Sequence, residues 1–329
     1  MLSRVAQSIY WMSRYFERAE NVARFLDVNF RLMLDLPSGM AVQWEALVRI
    51  TGDYEPFIKH YKRATRETVI QFFTFDTENP NSILSSVRAA RENARSVRES
   101  ISSEMWEQLN RIYFRVGDAA SRHLDAPEEF FEEVRLASHL FIGLTDTTMS
   151  HNEPWHFARL GQALERADKT SRILDVKYFI LLPSVADVGT PLDEIQWTAV
   201  LRSASALQIY RQQYGRVSPL RVVEFLVLDP EFPRAIHFCL RRADESLHAI
   251  SGTPQGTFRN SAEQRLGQLR AELDFTRVSD IMRIGVHEFI DDFQVKLNGI
   301  GTTIHETFFA TRPIQPSQSQ VLPKADRER

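Results

Sequence analysis

The sequence predicts an all-α fold, a large helical bundle built from two diverged copies of one helical unit. Three observations support this prediction. The 329 residues include 13 glycines and 14 prolines, and long stretches lack both, which is typical of helices rather than of a turn-rich β fold. Apolar residues recur at helical spacing. The second half of the chain also repeats motifs of the first half in the same order.

The first helix should begin at Ser3, a good N-cap, and end near Leu34, before Pro37. One side of this helix is an apolar stripe formed by Val5, Ile9, Met12, Phe16, Ala23, Leu26 and Phe30. The opposite side carries Tyr10, Phe25 and Leu32. Because most of its circumference is apolar, we expect this helix to be buried.

The remaining helices follow from the same spacing. In the first half they are predicted over 41–50, 54–62, 65–75, 82–100, 103–121 and 128–149. A second long helix should start around Pro154 and end near Leu181. Later helices are predicted over 192–214, 219–228, 233–250, 260–277 and 279–310. Residues 311–329 are rich in proline, serine, glutamine and charge, which predicts a disordered tail.

The duplication is visible in three collinear matches. Residues 16–28 align without gaps to 164–176, with seven of thirteen positions identical. The pattern Gln-Trp-x-Ala-x-x-Arg occurs at both 43–49 and 196–202, and residues 72–83 match 225–236 at that same offset. We therefore predict two units, 1–150 and 151–310, that pack as one domain. A pseudo-two-fold arrangement is the hypothesis for this packing, because such a long period argues against an open solenoid.

Within the repeated helix, two acids and an arginine occur at i, i+3 and i+7 and share one face. They are Glu17, Glu20 and Arg24 in the first copy, and Glu165, Asp168 and Arg172 in the second. Buried charges must be paired, since an unpaired charge in the interior is costly. Two interpretations stay open: a buried salt-bridge network that joins the halves, or a binding site that would also include Arg14, Arg18 and Arg166.

A second charged segment carries Arg88, Arg91, Glu92, Arg95 and Arg98 on one predicted helix. Guanidinium groups suit the recognition of carboxylates or phosphates. We regard Arg91, Glu92 and Arg98 as candidate binding residues, and a solvated helix face as the alternative.

Composition excludes several function classes. The chain has 40 basic and 43 acidic residues and a net charge of -3, so we expect neither nucleic acid nor an anionic membrane surface as a partner. No segment approaches the length of a membrane span, and polar residues come too early for a signal peptide. Cys239 lies in an apolar run and should be a buried, inert thiol. These features predict a cytoplasmic protein.

Metal and catalytic signatures are weak. Glu153 and His156, like Glu245 and His248, have the i, i+3 spacing of di-iron bundles. However, the two pairs are not equivalent in the duplication, since His248 aligns with Arg95. The sequence also lacks a glycine-rich phosphate loop and a convincing nucleophile. We therefore predict no metal and no cofactor.

Three segments carry a family resemblance. Residues 2–21, with Tyr10-Trp11-Met12 and Glu17-Arg18-Ala19-Glu20, resemble the start of the alpha-E family, named for a helical domain with a Glu-Arg motif. Residues 160–167 resemble its second Glu-Arg motif. Residues 225–234, which end at the candidate residue Arg234, resemble its downstream signature, although Ala235 stands where serine is expected.

The resemblance implies association with circularly permuted ATP-grasp ligases and transglutaminase-like proteins, in systems that form amide bonds. In that setting we expect an accessory subunit that binds the ligase or a peptide carboxylate. One alternative is an enzyme that uses Glu17 or Glu165 as a general base, which would require a raised carboxylate pKa. The other alternative is a purely structural role for both motifs.

Overall fold

The computed structural model describes residues 1–35, 44–122, 127–179 and 190–310, and throughout these ranges the regular elements are helices. The helices of the first half are α1 (Ser3–Asp35), α2 (Trp44–Thr51), α3 (Tyr54–Tyr61), α4 (Arg66–Thr74), α5 (Ile83–Ser96), α6 (Ser103–Ala120) and α7 (Pro127–Thr148). Those of the second half are α8 (Glu153–Phe179), α9 (Pro191–Ser203), α10 (Leu207–Tyr214), α11 (Pro219–Leu228), α12 (Ile236–Ser251), α13 (Ser261–Phe275), α14 (Val278–Ile284) and α15 (Val286–Ile304). The predicted all-α class is confirmed.

Local capping explains where several helices begin. Ser82 and Ser102 accept hydrogen bonds from the backbone N–H groups of Ser85 and Met105 at the starts of α5 and α6. These bonds satisfy donors that the first turn of a helix leaves free. At the end of α12, Gly252 adopts a left-handed conformation with a φ of 66°, a common way to terminate a helix.

The long helices α1 and α8 lie side by side at the centre. They run in the same direction, because Met1, Arg14 and Arg18 of the first segment meet Glu153 and Glu165 of the second in increasing order. Helices α5 and α7 pack against α1, whereas α12, α15 and α2 pack against α8. The expected burial of α1 is confirmed, and a large hydrophobic core surrounds the central pair.

Two of the helices predicted in the second half are each divided in the structure. The helix predicted over 192–214 is α9 and α10, which are separated at Ser205, where φ is 52°. The helix predicted over 279–310 is α14 and α15, separated by Gly285 with a φ of 109°. A positive φ is incompatible with a continuous right-handed helix. The last turn, His305–Phe309, is a π-helix.

Other predictions fall outside the described residues, namely the stop signals near Pro37 and Pro183 and the disordered tail over 311–329. In the parts of the chain that the structure covers, no helix combines the length and apolarity needed to cross a lipid bilayer.

Candidate functional site

The central helices approach each other closely at Gly161 of α8. A methyl group on Gly161 would collide with the carbonyl oxygen of Tyr10 and lie 3.2 Å from Cγ of Arg14. Glycine therefore allows the two backbones to come together. The Glu-Arg dipeptides lie about one turn further along the helices.

These two dipeptides exchange ion pairs. Arg166 donates from Nε to Oε1 of Glu17 at 2.7 Å, and from Nη2 to Oε2 at 2.8 Å. In the other direction, Arg18 donates from Nε to Oε1 of Glu165 at 2.7 Å, and from Nη2 to Oε2 at 3.1 Å. Both pairs are bidentate, the arrangement in which guanidinium binds carboxylate most strongly. The geometry is that of a buried salt-bridge network.

Glu165 is fully buried and receives further cations. Nε of Arg14 lies 2.8 Å from its Oε2, and Nζ of Lys169 lies 3.5 Å from its Oε1. Burial alone would raise the pKa of Glu165, but the charges of Arg18, Arg14 and Lys169 outweigh it and hold the pKa well below the ordinary 4.5. The group is therefore ionised and a poor base.

Glu20 has its own cations. Its Oε1 accepts from Arg24 on the same helix and from Nη2 of Arg234 at 2.8 Å. Arg234 precedes α12 and also places Nη1 3.5 Å from Oε1 of Glu17. Burial would raise the pKa of Glu20, yet Arg234 and Arg24 keep it well below its ordinary value. Arg234 thereby joins the downstream signature to the Glu-Arg motif.

The acid and arginine side chains further along α8 are organised in a related way. Asp168 accepts from Nζ of Lys169 at 2.8 Å and from Nε of Arg172 at 3.2 Å. Burial opposes ionisation, but Lys169 and Arg172 lower the pKa of Asp168 far below its usual range. Arg172 also donates from Nη1 to the carbonyl oxygen of Thr51 at 3.0 Å. The i, i+4 pairs expected from the spacing, Glu20–Arg24 and Asp168–Arg172, are both present.

Cys239 is buried, as predicted, and burial raises the pKa of its thiol to about 12. A thiol with this pKa is almost entirely protonated near neutral pH and is a poor nucleophile.

A cavity of about 440 Å³ lies beside the network, where α1, α7, α8 and α12 meet. We call it the α7–α8 cavity. Its lining includes Glu17, Ser138, His151, Trp155, Arg159 and Arg242. Apart from Glu17, sequence reasoning missed these residues, because no local motif links side chains from three helices.

Comparison with known proteins places this chain in a family. The sequence model of Alpha-E, described as a predicted alpha-helical domain with a conserved ER motif, matches residues 1–309. The chain belongs to the Alpha-E family. Similar proteins include an uncharacterized protein of Mycobacterium bovis, 26% identical over 99% of this chain. Another, from Mycobacterium tuberculosis, is 25% identical over 99% of this chain. The chain spans 39% of the length of these relatives. No solved structure matches significantly.

The Alpha-E helices bring together most of the predicted binding residues. Arg14, Glu17, Arg18, Glu20, Arg24, Glu165, Arg166, Asp168, Arg172 and Arg234 belong to the charged core on α1, α8 and the turn before α12. The remaining three, Arg91, Glu92 and Arg98, lie on α5 and the turn that follows it.

The arginine-rich segment, which includes Arg91 and Arg98, packs on α6 rather than on the charged core. The guanidinium of Arg91 lies 4.6 Å from the ring centre of Tyr113, and that of Arg98 lies 4.8 Å from that of Trp106. Arg91 also pairs with Glu92 at 3.2 Å. The prediction that one helix carries all the arginines is wrong, because α5 ends at Ser96 and Arg98 begins a short 3-10 turn.

Residues with the Glu-x-x-His spacing make other contacts in this Alpha-E chain. Glu153 pairs with the amino group of Met1 at 2.9 Å. His248 contacts the carbonyl oxygens of Asp244 and Thr257 through its two ring nitrogens.

A different group has possible metal-ligand geometry, since ligand atoms of Asp175, His287 and Asp291 all lie within 4.8 Å of one another. Sequence reasoning missed it because Asp175 and His287 lie on α8 and α15. The 2.7 Å bond between Nδ1 of His287 and Oδ1 of Asp175 already joins these helices.

Proposed function

We propose that this Alpha-E domain is an accessory binding subunit of an ATP-dependent amide or peptide ligase system. Its partners would be a circularly permuted ATP-grasp protein and a transglutaminase-like protein, as the family resemblance implies. The proposal places the protein in the cytoplasm. The observation that favours an accessory role over a catalytic one is the reciprocal pairing of Glu17 with Arg166 and of Glu165 with Arg18. Because this pairing occupies the charges of both motifs, it favours a bracing role for them and leaves binding to other surfaces.

The enzyme alternative is less well supported. A general base works best when its pKa lies near the working pH, whereas the pKa of Glu165 is held far below that range and its side chain is inaccessible. In the mycobacterial relatives the aligned region is 39% of a longer chain, which fits a domain that acts together with others.

The duplication and its pseudo-two-fold arrangement belong to the same proposal. The reciprocal ion pairs support it, because each copy gives one glutamate and one arginine. A charge exchange supports it further. Lys169 aligns with Asn21, and Asn81 aligns with Arg234. The Arg18–Glu165 pair therefore adjoins the cation Lys169 and the amide Asn81, whereas the Arg166–Glu17 pair adjoins the amide Asn21 and the cation Arg234.

The face around Arg98 is the candidate surface for the ligase. Arginine, tryptophan and tyrosine are enriched among residues that dominate protein interfaces, and Arg91, Arg98, Trp106 and Tyr113 are stacked on one another there. Nearby Phe114 is 63% exposed, unusually high for a phenylalanine.

The test is reconstitution with the circularly permuted ATP-grasp protein that the proposal requires, measured by gel filtration and by ATP-dependent amide formation. We expect a stable complex, no turnover by the Alpha-E chain alone, and faster ligation when both are mixed. Arg98→Glu should weaken the complex at least about tenfold. The control is Arg122→Glu, an exposed arginine at the other end of α6. Turnover by the chain alone, lost in a folded Glu165→Gln variant, would overturn the proposal.

A further inference from the structure

The α7–α8 cavity has a buried floor and a charged opening. Glu17, Phe16 and Ser138 are buried in its lining, whereas Asp146, His151 and Arg242 are exposed. Its volume falls within the range of ordinary small-molecule pockets. Trp155 and Phe141 add aromatic surface, so the cavity can accept a ligand that is partly apolar and partly charged.

One wall of the cavity carries two guanidinium groups. Arg159 from α8 and Arg242 from α12 both donate to the same oxygen, Oε2 of Glu245, at 2.8 and 3.0 Å. Two guanidinium groups therefore share one carboxylate, and each retains further N–H donors. Burial and then the neighbouring charge of Arg242 lower the pKa of Arg159. A second anion bound at this wall would be attracted by both guanidinium groups.

Two acidic groups also belong to the lining. Glu17 is bound by Arg166, whereas Asp146 lies 3.6 Å from Nε2 of His151 and attracts Arg159 less strongly than Glu245 does. His151 in turn stacks on Trp155, with ring centres 4.0 Å apart.

Ser138 supplies an uncharged contact. The residue is 1% exposed, lines the cavity, and its Oγ has no hydrogen-bond partner among the described residues. A buried hydroxyl normally has a partner, so a ligand group that reaches this Oγ would satisfy it.

We propose that the α7–α8 cavity binds the carboxylate group of an organic ligand. Arg159 and Arg242 hold the carboxylate, Ser138 donates a hydrogen bond, and Trp155 and Phe141 pack against the apolar part of the ligand. This places carboxylate binding outside the Glu-Arg core. The view that the ligand is a peptide of the ligase system rests on the proposed function, whereas the binding itself does not.

The test compares two probes that differ in one group, N-acetyl-alanyl-alanine and its C-terminal amide, by isothermal titration calorimetry on the full chain. We expect the acid to bind at least about tenfold more tightly than the amide, because the amide lacks the charge that the arginines recognise. Equal affinities would overturn the proposal. Inorganic phosphate is the third probe, and binding of phosphate more tightly than the acid would also overturn it.

Substitutions in the cavity lining test whether the carboxylate binds there. Arg242→Gln should lower the affinity for the acid at least about tenfold and leave the amide unchanged. Arg221→Gln is the matched control, since Arg221 is exposed to a similar degree and pairs with Glu224 at i, i+3, as Arg242 pairs with Glu245. Equal effects of the two variants would contradict the assignment.

Ser138→Ala gives a second, independent variant. It should lower the affinity for the acid several-fold without lowering the melting temperature, since no protein hydrogen bond is lost. Unchanged affinity would remove Ser138 from the site. If the acid binds but no complex with the ATP-grasp protein forms, the result supports this inference and counts against the proposed function. If the complex forms but the acid does not bind, the result supports the proposed function and counts against this inference.

Discussion

At the residue scale, Glu165 shows why the Glu-Arg motif tolerates burial. Three cationic side chains, Arg14, Arg18 and Lys169, surround one carboxylate that has no exposed surface. Removal of one member of a buried ion pair leaves its partners without compensation, which costs more than the pair contributes.

Glu165→Gln should therefore lower the free energy of unfolding by about 3–5 kcal/mol. Urea denaturation followed by circular dichroism measures this change. Glu133→Gln is the control, because it removes an exposed bidentate pair with Arg115 and should cost less than about 1 kcal/mol. Equal losses of unfolding free energy in the two variants would show that the burial of Glu165 does not increase the cost of its removal.

The same residue predicts a pH dependence. The pKa of Glu165 is lower in the folded chain than its ordinary 4.5, so its contribution is complete above pH 4.5 and is lost as the pH falls towards the folded value. The stability difference between the wild type and Glu165→Gln should thus be constant between pH 7 and pH 5 and shrink below pH 4.5. A difference that grows in acid would contradict the direction of this shift.

Residue-level reasoning from the sequence reached only part of this network. The i, i+4 pairs and the burial of the motif follow from helical spacing, because both are properties of one helix. The partners of Glu17 and Glu165 lie about 150 positions away. Their identity depends on how α1 and α8 are aligned side by side, which no local pattern specifies.

At the scale of helices, apolar spacing predicted the existence and type of the elements better than their interruptions. The breaks at Ser205 and Gly285 each depend on one residue with positive φ. Serine rarely adopts this conformation, and an isolated glycine is also tolerated within helices, so neither residue is a strong stop signal.

Gly161→Ala tests the contact between α1 and α8. The new methyl group would collide with the backbone of α1, and we expect a loss of about 1–3 kcal/mol or more in unfolding free energy. Gly117→Ala in α6 is the control. Its methyl group would meet nothing within 4 Å, so it should stabilise the chain by about 0.5–1 kcal/mol. Stabilisation by both changes would exclude the close approach.

At the scale of the whole molecule, the last helical turn packs on both central helices. The ring of Phe309 lies 5.4 Å from that of Tyr10 in α1 and 5.8 Å from that of Phe157 in α8. The predicted units 1–150 and 151–310 therefore share one core, and we expect neither to fold alone.

Calorimetry should accordingly show one cooperative unfolding transition. Phe309→Ala should destabilise the chain by about 3–5 kcal/mol and lower hydrogen-exchange protection in both halves together. Phe275→Ala, at a side chain that is 87% exposed, should change stability by less than about 0.5 kcal/mol. Two separate transitions, or loss of protection in the second half alone, would show independent units.

The reciprocal exchange between the Glu-Arg dipeptides has a consequence for the origin of the chain. Two identical subunits facing each other across a two-fold axis would form these same two contacts, since a residue pair at such an interface occurs twice. Under the duplication proposed above, an ancestral homodimer would become a single polypeptide by gene fusion without losing either ion pair. Afterwards each copy would be free to diverge everywhere except where it still serves as the other's counterion.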